Sequence, residues 1–118
     1  MSFTDTVQVL LKDYTDSCER YGERLREHTK LDHTRHVVLA TLMQDAEARG
    51  FSSAAAQERE ARADPMYLEH IDRLAEATGD LAVAKGEMLK REWLIRLWQT
   101  HQSTARAELQ ALRSDPTP

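Results

Sequence analysis

The chain has 118 residues, 41% hydrophobic and 31% charged, with four glycines, three prolines and 6% aromatics. That is one domain's length, and the composition suits long helices with a thin core and excludes a thick, aromatic-filled one. A net charge of −4 and a pI near 5.7 argue against a dedicated nucleic-acid coat.

The first element is predicted from about residue 5 to 49, with Thr4 as N-cap and Asp5 in the first turn. Its apolar stripe reads Val7, Leu11, Tyr14, Cys18, Tyr21 and Leu25, in alternating steps of four and three. The same frame then meets His28, Asp32 and Arg35 before returning to Leu39, Leu42 and Ala46; alternatively the stripe shifts to Leu31 and Val38. We read this as a stutter with a polar seam at His28, Asp32 and Arg35. Gly50 supplies the helix stop.

After Phe51, either Ser52 or Ser53 is placed to cap a short Ala-rich helix, residues 54–63, which lacks large apolar side chains. Asp64-Pro65 restarts the chain as N-cap and N1. The third element is predicted from about residue 65 to 113, on Tyr67, Ile71, Leu74, Thr78, Leu81, Ala84 or Lys85, Met88, Ile95, Trp98, Gln102, Ala105, Leu109 and Leu112. Gly79 is a candidate kink, and the tail RSDPTP reads as a frayed end. Each long helix would span roughly 70 Å. Together they predict an all-α fold, a long antiparallel, coiled-coil-like hairpin in one domain, 1–118.

The segment EWLIRLWQ is apolar on more than one side. Met88, Trp93, Leu94, Ile95 and Trp98 are therefore expected to form a homodimer interface, most simply in a four-helix arrangement. The alternative is a monomer in which the short helix folds back over this patch. Lys85 to Arg113 carries six basic and three acidic residues, a net +3, which leaves −7 for the rest.

Candidate chemistry is sparse. His28, Asp32 and His36 share a helix face, with Glu27 and His33 close by, and ligands from His70, Asp72, Glu92 or His101 would be needed to complete a metal site. One helix seldom offers more than two converging ligands, so no metal and no cofactor are expected. The residues three before the histidines are Leu25, Lys30, His33, Tyr67 and Trp98, so the Glu-x-x-His spacing of di-iron bundles is absent. Cys18, the single cysteine, reads as a small buried hydrophobe; it permits no intrachain disulfide and suits a reducing compartment. There is no nucleophile elbow and no phosphate-cradling glycine loop. No catalytic residue is assigned, and an enzyme is not expected. With no apolar run of membrane length and no basic leader, the expected setting is the cytoplasm.

Gly50, Phe51, Ser53, Glu58, Ala61, Ala63, Tyr67, His70, Leu74 and Ala77, followed by Thr104, Ala105, Arg106, Ala107 and Glu108, form a pattern across about residues 38–112. It resembles a family of small helical bacteriophage and prophage proteins often encoded near early recombination genes. The N-terminal third lies outside that pattern. The resemblance implies an accessory protein without assigned catalysis, in the host cytoplasm. It would bind a phage recombination or replication component, or a host defence or repair enzyme, as an acidic DNA mimic. Glu58, Glu60, Asp64 and Glu69, in the mixed-charge connection, are the acidic residues expected to meet that partner. Two other readings are open: DNA handling through Lys85, Lys90, Arg91, Arg96 and Arg106, and a scaffolding coiled coil.

Overall fold

The computed structural model describes residues 2–114 and is all-helical, with no strand among the described residues. Helix α1 runs Phe3–Ala48, α2 Ala54–Ala63 and α3 Pro65–Ser114. The all-α class and the presence of three helices agree with the sequence expectation, and α3 passes Gly79 without a break. Of the tail, Arg113 and Ser114 are helical rather than frayed, and Asp115 to Pro118 lie outside the described residues.

Boundaries follow from local chemistry. The N-cap of α1 is Ser2, not Thr4: its hydroxyl accepts from the Asp5 N–H at 3.2 Å, and its carbonyl accepts from the Thr6 N–H at 3.0 Å. Either residue type can cap, but Ser2 places the acidic Asp5 at the third helical position, where an N–H needs a partner. At the other end Gly50 has φ 109°, the Phe51 N–H bonds to the Ala46 carbonyl, and the Gly50 N–H bonds to the Glu47 carbonyl. These two bonds make a Schellman stop, which needs a residue free to take positive φ. Ser53 caps α2 by accepting from the Ala56 N–H at 3.1 Å. Asp64 caps α3 by accepting from the Met66 N–H at 2.8 Å, and Pro65 takes the first helical position.

The chain divides into two compact units, one drawn from residues before Arg20 together with those from Lys85 onward, the other Arg20–Ala84. In the first unit the less exposed positions include Val7, Leu10, Tyr14 and Ser17 on α1, and Met88, Arg91, Ile95, Trp98, Gln102 and Ala105 on α3. Phe3 and Trp98 lie with ring centroids 4.9 Å apart, and Arg91 reaches Asp13 at 3.6 Å and Glu87 at 3.0 Å. Ser17 is fully buried, its hydroxyl donating to the Tyr14 carbonyl at 2.7 Å. A small side chain that satisfies its own hydroxyl on its own helix costs little there.

The second unit carries the hydrophobic cluster of Leu42, Ala61 and Tyr67, with Val38, Leu39, Met43 and Ile71 against it. Ala61 is 1% exposed, so the small side chains of α2 let it lie close to its neighbours. The stripe of this unit reads Tyr21, His28, Leu31, Arg35, Val38 and Leu42 on α1, and Tyr67, His70, Leu74, Ala77, Leu81 and Ala84 on α3; all are buried or half-buried.

This burial pattern corrects the predicted seam. On α1 the inward positions step by three and four without interruption from Val7 through Leu10, Tyr14, Ser17, Tyr21, Arg24, His28, Leu31, Arg35 and Val38 to Leu42; only Arg24 among them is exposed, and it pairs with Asp80 at 3.9 Å. Leu31 and Val38 thus follow the alternative stripe, and beyond Leu42 the buried position is Ala46, 0% exposed, where the predicted frame placed it. The predicted frame chose Leu11, which is 51% exposed, over half-buried Leu10 just before it. On α3 the inward set includes His70, Ala77 and Arg91, where apolarity alone had favoured Ile71 and Thr78 and left a gap before Ile95. Thr78 is exposed and its hydroxyl bonds to the Leu74 carbonyl.

Candidate partner-binding groove

An open groove of about 310 Å³ lies in the second unit. Helix α1 contributes Lys30, Leu31, Thr34 and Val38, and α3 contributes Met66, Glu69, His70 and Arg73. Both sets follow helical spacing, so each presents one continuous strip. The floor is Leu31 and His70, both buried, with the His70 Nε2 2.8 Å from the Leu31 carbonyl oxygen. A carbonyl only accepts, so Nε2 carries the hydrogen. Thr34 spends its hydroxyl on the Lys30 carbonyl at 2.7 Å. The rim is Lys30, Glu69 and Arg73, all exposed and none ion-paired among the described residues, and Met66 stands 65% exposed beside them. The arrangement suits an apolar side chain on the floor and opposite charges at the rim. Its volume is at the low end for a small-molecule pocket.

Of the four acidic residues singled out for a partner, only Glu69 lines this groove. Glu58 bonds to Arg62 at 2.8 Å, Glu60 lies 3.4 Å from Arg49, and Asp64 is the α3 cap. The Glu58 carboxylate, ahead of Tyr67, holds the Arg62 guanidinium above its ordinary pKa. The connection is thus a mixed-charge surface whose acids are mostly matched, rather than an acidic patch. Arg62 also lies 5.9 Å from the Tyr67 ring, and Arg49 lies 5.7 Å from that of Phe51.

The predicted polar seam is partly assembled. His28 and Arg35 stand on the inward stripe, Asp32 lies beside it, and Arg35 pairs with Asp32 at 3.3 Å. The Arg35 Nε is buried and makes no hydrogen bond among the described residues. Among the described residues no three His, Cys, Asp or Glu side chains are placed to hold one metal ion, so the His28, His33 and His36 series stays dispersed along its helix. Cys18 is half-buried beside Tyr14.

The predicted dimer residues separate by face. Met88, Ile95 and Trp98 lie on the inward stripe and Leu94 is half-buried, whereas Trp93 is 60% exposed. Of the basic residues proposed for DNA, Arg91 is matched by Glu87 and Asp13, and Arg96 by Glu92 at 2.7 Å, which leaves Lys85, Lys90 and Arg106. Sequence reasoning missed Lys30, Met66 and Arg73. Their signal was present only in combination, as polar or flanking positions next to an inward Leu31 and His70.

No protein-family model, curated protein or solved structure matches the chain.

Proposed function

We infer that this chain is a non-catalytic phage accessory protein that engages a protein partner and works as a homodimer. Its two long helices pair antiparallel as a coiled-coil-like hairpin. Supporting the pairing, Arg24 reaches Asp80 and Leu31 reaches His70 in one unit, while Phe3 meets Trp98 and Asp13 meets Arg91 in the other. In each unit the α3 number falls as the α1 number rises, and both inward stripes keep a strict seven-residue repeat, the period of a left-handed supercoil.

The observation that carries the binding reading is the groove of Lys30, Leu31, Thr34, Val38, Met66, Glu69, His70 and Arg73. It combines an apolar floor, unmatched charges of both signs and an exposed methionine, which are features of an adaptable protein-binding surface. The matched acids Glu58 and Glu60 weaken the DNA-mimic form of this reading, because a mimic needs uncompensated negative charge. The partner is the phage or host protein whose surface offers an apolar side chain flanked by charge.

Affinity capture from cells that naturally make the chain tests this. The wild type is compared with Met66→Arg and Glu69→Gln variants, whose exposed positions leave the fold intact. A partner retained by wild type and lost by both variants supports the proposal. Equal capture by all three removes the groove from it. A low-salt gel shift serves as the control: salt-sensitive DNA binding would favour the basic α3 reading instead.

A further inference from the structure

The outer face of α3 in the first unit presents Gly86, Leu89, Trp93 and Leu97, in steps of three, four and four. Leu89, Trp93 and Leu97 are 43%, 60% and 59% exposed, on the side of the helix opposite Met88, Arg91, Ile95 and Trp98. Trp93 is braced by its own helix: the Arg96 guanidinium lies 5.7 Å from the ring centroid and is itself held by Glu92 at 2.7 Å. Gly86 is the counterpart of this bulk. A Cβ built there meets nothing within 4 Å, so no contact among the described residues calls for glycine. Yet glycine in a helix interior costs about 1 kcal/mol relative to alanine.

We propose that this face docks a second copy of the chain, antiparallel, with Trp93 of each copy seated over Gly86 of the other. The inference rests on the homodimer reading above and specifies its geometry. A two-fold axis near Leu89 sets the two leucines together and brings each indole to the helix surface that lacks a side chain. A parallel docking would instead stack indole on indole at one level and leave a gap at another.

The flanks agree with the antiparallel choice. At 100° per residue, Lys85 and Glu92 fall on one side of the stripe, and Glu87 and Lys90 on the other. Under the same two-fold axis Lys85 meets the second copy's Glu92, and Lys90 meets its Glu87, each pair occurring twice. Lys85 and Lys90 are exposed and have no ion-pair partner among the described residues; Glu92 and Glu87 are half-buried beside Arg96 and Arg91. Opposite charges at the rim of an apolar strip set register and orientation more than they set affinity.

Sedimentation velocity on the full chain tests the proposal, with circular dichroism to follow the fold. The wild type is expected to be a dimer. Gly86→Leu fills the receiving surface, where the chain itself leaves open space, and should weaken dimerisation on the order of tenfold or more while helicity is kept. Trp93→Glu should do the same, and Lys85→Glu should weaken the dimer until Glu92→Lys is added. In a Cys18→Ser background, Gly86→Cys mixed with Trp93→Cys should form a disulfide across copies, and Gly86→Cys alone should not. A monomeric wild type would overturn both this geometry and the homodimer reading. A wild-type dimer indifferent to Gly86→Leu and Trp93→Glu would overturn the geometry alone, as would efficient crosslinking of Gly86→Cys with itself.

Discussion

The His70 Nε2–H donates to the Leu31 carbonyl oxygen at 2.8 Å, a buried hydrogen bond from the side chain of α3 to the backbone of α1. It fixes one helix against the other at a stated level, which apolar contacts alone do less sharply. His70→Ala removes the donor and opens a void beside Leu31, and should cost about 1–3 kcal/mol in urea denaturation. His70→Gln, which keeps a donor, should recover part of that loss. Equal loss in both variants would show that packing alone accounts for the position.

The burial frame separates neighbouring leucines. Leu31 is 9% exposed and Leu25 is 41% exposed. Leu31→Ala should cost about 2 kcal/mol or more, whereas Leu25→Ala should change stability by less than about 1 kcal/mol. Thermal melts of the two variants side by side check this order, and a reversed order would contradict the burial pattern.

Ala61 tests the closeness of α2. It is 1% exposed and packs with Leu42 and Tyr67. Ala61→Leu should overpack that cluster and cost about 1–3 kcal/mol, while the same change at exposed Ala55 should be near neutral. Chemical denaturation reads both.

Gly50, at φ 109°, closes α1. Space is open around a Cβ there, so the penalty for substitution is conformational. Gly50→Ala should lower stability by about 1–2 kcal/mol, and Gly50→Asn should cost less, because asparagine tolerates positive φ better. Matching losses for the two would remove the left-handed stop as the cause.

Tyr14 should titrate above its ordinary value of 10.0 in the folded chain. A hydrogen bond with Cys18 is the largest cause, followed by the Cys18 charge, desolvation and Glu92, with Arg96 opposing. A raised folded pKa favours the protonated phenol, so its contribution is fully present below the unfolded value and is lost as pH rises through the folded one. Ultraviolet titration of the tyrosines checks this: Cys18→Ala should move the Tyr14 transition down, and an unmoved transition would exclude Cys18 as its cause.

Much of the fold was legible in the sequence because its punctuation is local. Gly50, Ser53 and Asp64-Pro65 each act through bonds within a few residues, so their roles could be read from residue type. The register was harder. Leu10 and Leu11 are adjacent and equally apolar, and only the position of the other helix chooses between them. Ser17, His70 and Arg91 lie inward although none is apolar, because each satisfies its polar atoms locally or on the facing helix. The groove was hidden for the same reason: its two strips, on α1 and α3, are at least 28 positions apart and converge only once the register is set. The acidic residues of the connection looked like a patch because sequence shows charge but not pairing. Arg62 neutralises Glu58 one helical turn away, and Arg49 reaches Glu60 across the turn that follows α1, a pairing that residue order does not display.

The most direct test of the account is site-specific photocrosslinking in cells that naturally make the chain. A photoreactive side chain is placed at Met66 in the groove and, separately, at exposed Ala75 on the same helix. The account predicts a discrete covalent adduct with another protein from Met66 and none from Ala75. No adduct from Met66, or the same adducts from both positions, would contradict it.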